Sequence, residues 1–126
     1  MLYHYTFGLY KRSDLLVDPG IRSFLKEVFS KIAAEKDFKI IECEILSDHV
    51  HLLVDQSYNL STSFVMKNIK GVSSRRLFEK YDTNRFEIRK LWARGFFAGK
   101  IGSFEKDAVV KYIRTQRTPD GSDKRY

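Results

Sequence analysis

The order in which two periodicities follow one another constrains this chain most. Leu2 to Tyr10 alternates and carries Tyr3, Tyr5 and Phe7, the pattern of a first strand. Asp18-Pro19-Gly20 then reads as a turn. Ile21, Phe24, Leu25, Val28, Phe29 and Ile32 recur at i, i+3, i+4, i+7, i+8 and i+11, which is one apolar helical stripe. Arg22, Lys26, Glu27 and Lys31 are left to solvent. Phe38 to Leu46 and His49 to Asp55 read as two strands joined through Ser47-Asp48, an antiparallel hairpin. Asn59 to Ser63 offers N-caps for a second helix that runs to about Tyr81, with Val65, Ile69 and Val72 on one face. Gly71 weakens that helix, and Asp82-Thr83-Asn84 breaks it.

Leu91 to Ile101 reads as the last strand, and its two glycines suggest a bulge or a close backbone approach. Ser103 is read as the cap of a final helix over Phe104 to Arg117, ended by Thr118-Pro119-Asp120-Gly121, with 117–126 a loose tail. The order β-α-β-β-α-β-α begins with the ferredoxin-like (RRM-like) split βαβ pattern. An α+β fold follows: one antiparallel sheet, two helices on one face, and the other face open for a site beside the terminal helix. A chain of 126 residues is long enough to bury one core, so residues 1–126 are expected to form a single domain.

Composition narrows the partners. With 43% hydrophobic residues, seven glycines and two prolines, a disordered or low-complexity chain is excluded. No apolar run approaches the ~20 residues that span a bilayer. Met1-Leu2-Tyr3-His4-Tyr5 lacks the basic flank and apolar stretch of a signal peptide. A single cysteine, Cys43, allows neither an intrachain disulfide nor a Cys-x-x-Cys zinc pattern, which fits a reducing cytoplasm. The 23 Lys and Arg against 16 Asp and Glu give +7, which favours polyanionic partners: nucleic acid first, an anionic membrane surface second. A merely soluble basic protein has the same charge.

Three groups of residues can carry chemistry. In His49-Val50-His51, residues two apart on a strand point to one side, about 6.5–7 Å apart, and two imidazoles so placed can converge on one divalent metal. By the same parity Val50, Leu52 and Val54 face the core, while Leu53 and Asp55 share the histidine side. Two half-exposed strand histidines without a ligand role make the same pattern. Without a cysteine cluster, oxygen or amide ligands must complete the shell, and this suits Mg2+ or Mn2+ better than structural zinc. Asp48 and Asp55 are carboxylates near enough in sequence to assist, and His4 has no role on this reading.

Tyr112 and Gln116, at i and i+4, share a helix face. A tyrosine hydroxyl can be a covalent nucleophile, and a glutamine carbonyl can be a hard oxygen ligand. Lys111, Arg114 and Arg117 lie nearby to hold phosphate. The alternative packs Tyr112 beside Val109 and Ile113 and leaves Gln116 solvated. Third, Lys67, Lys70, Arg75 and Arg76, followed by Trp92, Arg94, Phe96 and Phe97, interleave basic and aromatic groups as nucleic-acid surfaces do. A solvated helix face and a core strand is the other reading, although Phe96 and Phe97 cannot both face a core on a regular strand.

Together, Ser47-Asp48-His49-Val50-His51-Leu52-Leu53-Val54, the run from Ile69 to Phe78, Leu91-Trp92-Ala93-Arg94-Gly95-Phe96-Phe97, and Tyr112-Ile113-Arg114-Thr115-Gln116 resemble the single-tyrosine HUH transposases. These are small insertion-sequence transposases of the TnpA type, which move an element as single-stranded DNA. The resemblance runs from Tyr3 to Gln116 and rests on four motifs in order. It implies His49, His51 and Gln116 as ligands of Mg2+ or Mn2+ and Tyr112 as the nucleophile of a DNA endonuclease and strand transferase. It further implies a 5′-phosphotyrosine intermediate, DNA hairpins at element ends as partners, and a homodimer without membrane association. Lys67, Lys70, Arg75, Arg76, Trp92, Arg94, Lys111 and Arg114 are the expected DNA contacts, and Gly99, Gly102 and Ser103 offer a hinge before the last helix. The implied location is cytoplasmic, on the nucleoid when acting on DNA. A ferredoxin-like module that binds RNA or single-stranded DNA without cutting it is the competing class. Within the leading class, a domesticated relative that processes chromosomal repeats has the same sequence features.

Overall fold

A computed structural model describes residues 1–11, 15–81 and 90–116. The strands are β1 (Leu2–Gly8), β2 (Phe38–Ile45), β3 (His49–Gln56) and β4 (Phe97–Ile101). The helices are α1 (Pro19–Glu35), α2 (Thr62–Lys80) and α3 (Lys106–Arg114). The sheet order is β2-β3-β1-β4, and every pairing is antiparallel. This is the expected α+β ferredoxin-like arrangement, with β1 and β3 at its centre.

Side-chain alternation sorts the sheet into two faces. Tyr5 and Phe7 of β1, with Val50, Leu52 and Val54 of β3, are buried in the main core. Ile21, Leu25, Val28, Phe29 and Ile32 of α1 and Val65, Met66, Ile69 and Leu77 of α2 cover them. Each such side chain contributes about 1.5–3 kcal/mol on burial, so this layer is the main source of stability. Among the described residues no helix is long and apolar enough to cross a membrane.

The helix ends are set by local caps. α1 begins at Pro19 because Asp18 caps it, accepting from the Gly20 N–H at 2.8 Å, so Asp18-Pro19-Gly20 starts a helix as well as ending a loop. Ser61 caps α2 through the Phe64 N–H at 3.0 Å. Ser103 does not cap the last helix. A 3-10 turn over Ser103–Glu105 precedes α3, and Glu105 reaches back to accept the Gly102 N–H at 3.1 Å. The carboxylate expected at a capping box is present, one residue earlier than Lys106. The proposed break at Asp82-Thr83-Asn84, the helix end at Arg117 and the tail 117–126 lie outside the described residues.

The last strand is shorter than its pattern. Thr6 pairs with Phe97, while Leu9 faces Trp92 in an isolated bridge. Three residues along β1 (9 − 6) thus correspond to five along its partner (97 − 92), and the excess loops out through Gly95 at φ +84°. The Lys70 ammonium ties this excursion down by donating to the carbonyls of Ala93 at 2.7 Å and Gly95 at 2.8 Å. Trp92 turns into the core, edge-on to Phe7 at 4.9 Å, and its indole N–H donates to Ser73 Oγ at 2.9 Å. Of the expected DNA contacts, Trp92 is buried and the Lys70 ammonium is engaged by two backbone carbonyls.

Ser73 is fully buried in the middle of α2, and its hydroxyl accepts that indole bond. Ser73→Ala should leave a buried donor unpaired and lower stability by about 1–3 kcal/mol, measured by urea denaturation.

Candidate active site

The second sheet face is built by the register of β1 against β3. Gly8 faces His49, Thr6 faces His51 and His4 faces Leu53. Across the β2–β3 pairing Glu44 faces His51 and Glu42 faces Leu53, past an irregularity between Ile40 and Glu42. His49 and His51 therefore share the face turned away from α1 and α2, with ring centroids 4.9 Å apart. Leu53 lies on the histidine side, as parity requires.

The two imidazoles are held differently. His49 Nδ1 lies 2.6 Å from Asp48 Oδ1. An Nδ1–H donated to that carboxylate leaves Nε2 as the lone-pair nitrogen, the usual way a ligating histidine is oriented. His51 is buried, and its Nδ1 lies 3.0 Å from His4 Nε2 and 3.2 Å from Thr6 Oγ1. His51 Nε2 is buried without a hydrogen-bond partner among the described residues. A buried polar nitrogen without a partner is costly unless something completes it, and a divalent cation does so. The residues thus fit a metal site. Among the described residues no group of three or more His, Cys, Asp or Glu side chains is arranged around a metal position.

α3 lies across this face against β2 and β3. Its apolar anchor is Ile113, fully buried like Leu53 of β3, and neither belongs to the main core. Arg114 Nε adds an ion pair to Glu42 of β2 at 3.1 Å. One helical position from Ile113, the Tyr112 ring stands edge-on to His51 at 6.1 Å and to His4 at 6.0 Å. Tyr112 remains 40% exposed, open enough to meet a substrate. Gln116 is buried one turn further, and its amide Nε2 donates to the Tyr112 carbonyl at 3.0 Å. The ring contacts bring Tyr112 to the histidines, while the Gln116 amide nitrogen turns back on its own helix.

The expected DNA-contact residues divide between the two sides of the sheet. Lys67, Arg75 and Arg76 are exposed on α2, behind the sheet as seen from the histidines, and Arg75 pairs with Glu79. Lys111 and Arg114 are exposed on α3, on the histidine side. Arg94 is exposed on the looped-out segment, beside Phe96 at 38% and Phe97 at 59% exposure. Neither phenylalanine enters the core, although the Phe97 ring is 6.3 Å from that of His4. Arg117 lies outside the described residues. His4 was missed in the sequence because it carries no motif. Alternation puts it opposite Tyr3 and Tyr5, but only the pairing with β3 brings it to His51.

Burial pushes the His51 imidazole down to about 4, with His49 and His4 adding to the effect, and burial also lowers His4. Both rings are neutral at pH 7. An unfolded histidine takes up its proton near 6.5, so as the pH falls the unfolded chain binds it before the folded one does. The metal-free protein should keep the His51 contribution above about pH 6.5 and lose it progressively toward pH 4. Urea midpoints at pH 7.5 and 5 should separate in the parent protein and move closer together in His51→Gln.

Comparison with known proteins bears on what this arrangement is. The pattern that defines "Transposase IS200 like" proteins matches residues 1–116. The transposase for insertion sequence element IS200 of Salmonella typhimurium is 28% identical over 121 residues, covering 94% of this chain and 78% of that protein. The ISDra2 transposase TnpA of Deinococcus radiodurans is 28% identical over 116 residues, covering 90% and 82%. A Deinococcus radiodurans crystal structure assigned as a transposase superposes with a TM-score of 0.73 at 24% identity, covering 92% of this chain and 90% of that one. A REP-associated tyrosine transposase bound to a REP hairpin superposes with a TM-score of 0.65 at 18% identity, covering 89% and 63%. These two likenesses speak for the fold, and the match over residues 1–116 decides the family: the chain belongs to the IS200-like transposases, the single-tyrosine HUH group.

Proposed function

We propose that this transposase cuts and rejoins single-stranded DNA through Tyr112. The observation that carries the reading is the Tyr112 ring set against His51, whose buried Nε2 has no hydrogen-bond partner among the described residues. Nucleophile and candidate ligand come from elements far apart in sequence and meet on the one sheet face that α1 and α2 leave uncovered.

His49 and His51 would hold a Mg2+ or Mn2+ through their Nε2 atoms, with Gln116 as the amide-oxygen ligand that the family resemblance implies. What such an ion supplies when bound is polarisation of the scissile phosphate and compensation of charge on its oxygens. Asp48 orients His49 by accepting its Nδ1–H. Tyr112 loses its phenolic proton, ordinarily held to a pKa of about 10, and attacks phosphorus. The P–O3′ bond breaks, the 3′ oxygen takes up a proton, and the 5′ phosphate is left on Tyr112. Attack by another 3′-hydroxyl reverses the step and joins a new strand, with no ATP consumed because one phosphodiester is exchanged for another.

The basic surface suits a hairpin substrate. One of the similar structures holds a REP hairpin, and for this chain DNA hairpins flanking a single-stranded cleavage site are the proposed partners. Lys67, Arg75 and Arg76 would meet duplex phosphates, and Lys111, Arg114 and Arg94 the strand nearer the site. Phe96 and Phe97, exposed at the β4 edge, take the stacking role first expected of Trp92. A homodimer acting at the nucleoid in the cytoplasm belongs to the same proposal.

The test is a denaturing gel of the protein with labelled hairpin oligonucleotides carrying single-stranded flanks, with and without Mn2+. A metal-dependent covalent band is expected. Tyr112→Phe should lose it entirely while binding the hairpin within about twofold of the parent protein. His49→Ala should weaken Mn2+ binding by about tenfold or more in calorimetry, since even groups behind a ligand are worth that much. Tight hairpin binding without any adduct across a hairpin pool would reduce the chain to a binding module.

A further inference from the structure

The two candidate ligands have unequal supports. His49 leans on a carboxylate, Asp48, one residue away on the same chain segment. His51 leans on β1: its Nδ1 sits 3.0 Å from His4 Nε2, with the two rings 26° from parallel and 5.2 Å between centroids. Two neutral imidazole nitrogens at that distance share one proton, and its owner decides what His51 can do. If His4 donated, His51 would carry its own proton at Nε2, which would then be a buried donor without an acceptor. If His51 donates, Nε2 bears a lone pair and the buried atom is a ligand waiting for a cation. Thr6 Oγ1, 3.2 Å from the same Nδ1, cannot decide this, because a hydroxyl donates or accepts equally well.

We propose that His4 is a positioning residue for the metal site: it accepts the Nδ1–H of His51 and so holds His51 in the tautomer whose Nε2 lone pair faces the cation. His4 Nε2 is engaged by His51 Nδ1 and not by the His51 Nε2 that would meet the ion. The assignment makes the two ligands chemically different. The carboxylate behind His49 brings negative charge to that support, whereas the neutral imidazole behind His51 fixes orientation without adding charge. It also gives β1, which contributes none of the family's motif residues, a direct part in the site. The inference rests on the reading of His49 and His51 as ligands, but the tautomer can be read without any metal.

The experiment uses the full chain labelled with 15N-histidine. Long-range 1H–15N correlation at pH 7.5, without metal, reads the tautomer of each ring, and Mn2+ calorimetry on the same samples reads affinity. In the parent protein His51 should be protonated at Nδ1. His4→Phe keeps a flat ring but removes the acceptor. It should shift His51 toward the Nε2–H form and weaken Mn2+ binding by about tenfold or more, the usual cost of losing such a support. His4→Gln restores an acceptor oxygen and should recover both readouts to within about threefold. His49, held by Asp48, should be unchanged in every variant and serves as the internal check that the fold is intact. An unaltered His51 tautomer in His4→Phe overturns the proposal, as does a parent protein with His51 protonated at Nε2. A tautomer that responds to Thr6→Val and not to His4→Phe gives the role to Thr6 and equally overturns it. Absence of Mn2+ binding by the parent protein would instead sink the metal reading, while the metal-free spectra still decide the hydrogen bond.

Discussion

Everything at the site hangs on the antiparallel pairing of β1 with β3. Its register sets Thr6 opposite His51 and His4 opposite Leu53, which brings the His4 and His51 rings within hydrogen-bonding distance on a diagonal. A slip of one residue would turn His49 and His51 into the core and Val50 and Leu52 out to solvent. The helices prevent that slip. Burying Val50, Leu52 and Val54 against α1 and α2 is worth several kilocalories per mole, so the layer that stabilises the protein also aims its histidines.

The opposite face is covered by a different device. α3 is only nine residues long and has one fully buried side chain, Ile113, with the ion pair from Arg114 to Glu42 at its end. Both partners of that pair reach solvent to some degree, so it adds modestly to the anchor. A helix this short is marginal by itself, and packing on β2 and β3 is what sustains it. The tyrosine is therefore carried by a short, lightly anchored helix, while the histidines sit on β3 at the centre of the sheet. Such a division would suit the proposed reaction, in which the nucleophile becomes attached to a strand that must later be passed on.

Charge and burial act together near the looped segment before β4. Lys70 was expected to meet DNA because it belongs to a run of cations along α2, yet it is the one whose helical position faces the excursion at 93–95. Two backbone carbonyls turned out of the sheet ladder need donors, and an ammonium supplies both. Trp92 shows the same preference for internal satisfaction: its indole N–H finds Ser73, and its ring fills the space beside Phe7 and Phe29. Phe96 and Phe97 are left outside as the aromatic surface.

Element order, sheet class and the face shared by His49, His51 and Leu53 were legible in the sequence, because they follow from side-chain periods of 2 and 3.6 within single segments. The i, i+4 placement of Tyr112 and Gln116 was legible for the same reason. The pairing of Trp92 with Ser73, the two bonds of Lys70 and the truncation of β4 were not, since each depends on backbone groups from distant segments that compete for donors. Nor was the place of His4, whereas a shared site for Tyr112 and His51 was implied by the family resemblance. By itself the sequence determined which residues share a face of each strand or helix. Only the tertiary structure decided which faces meet, because register and helix docking are set by long-range burial that no local window contains.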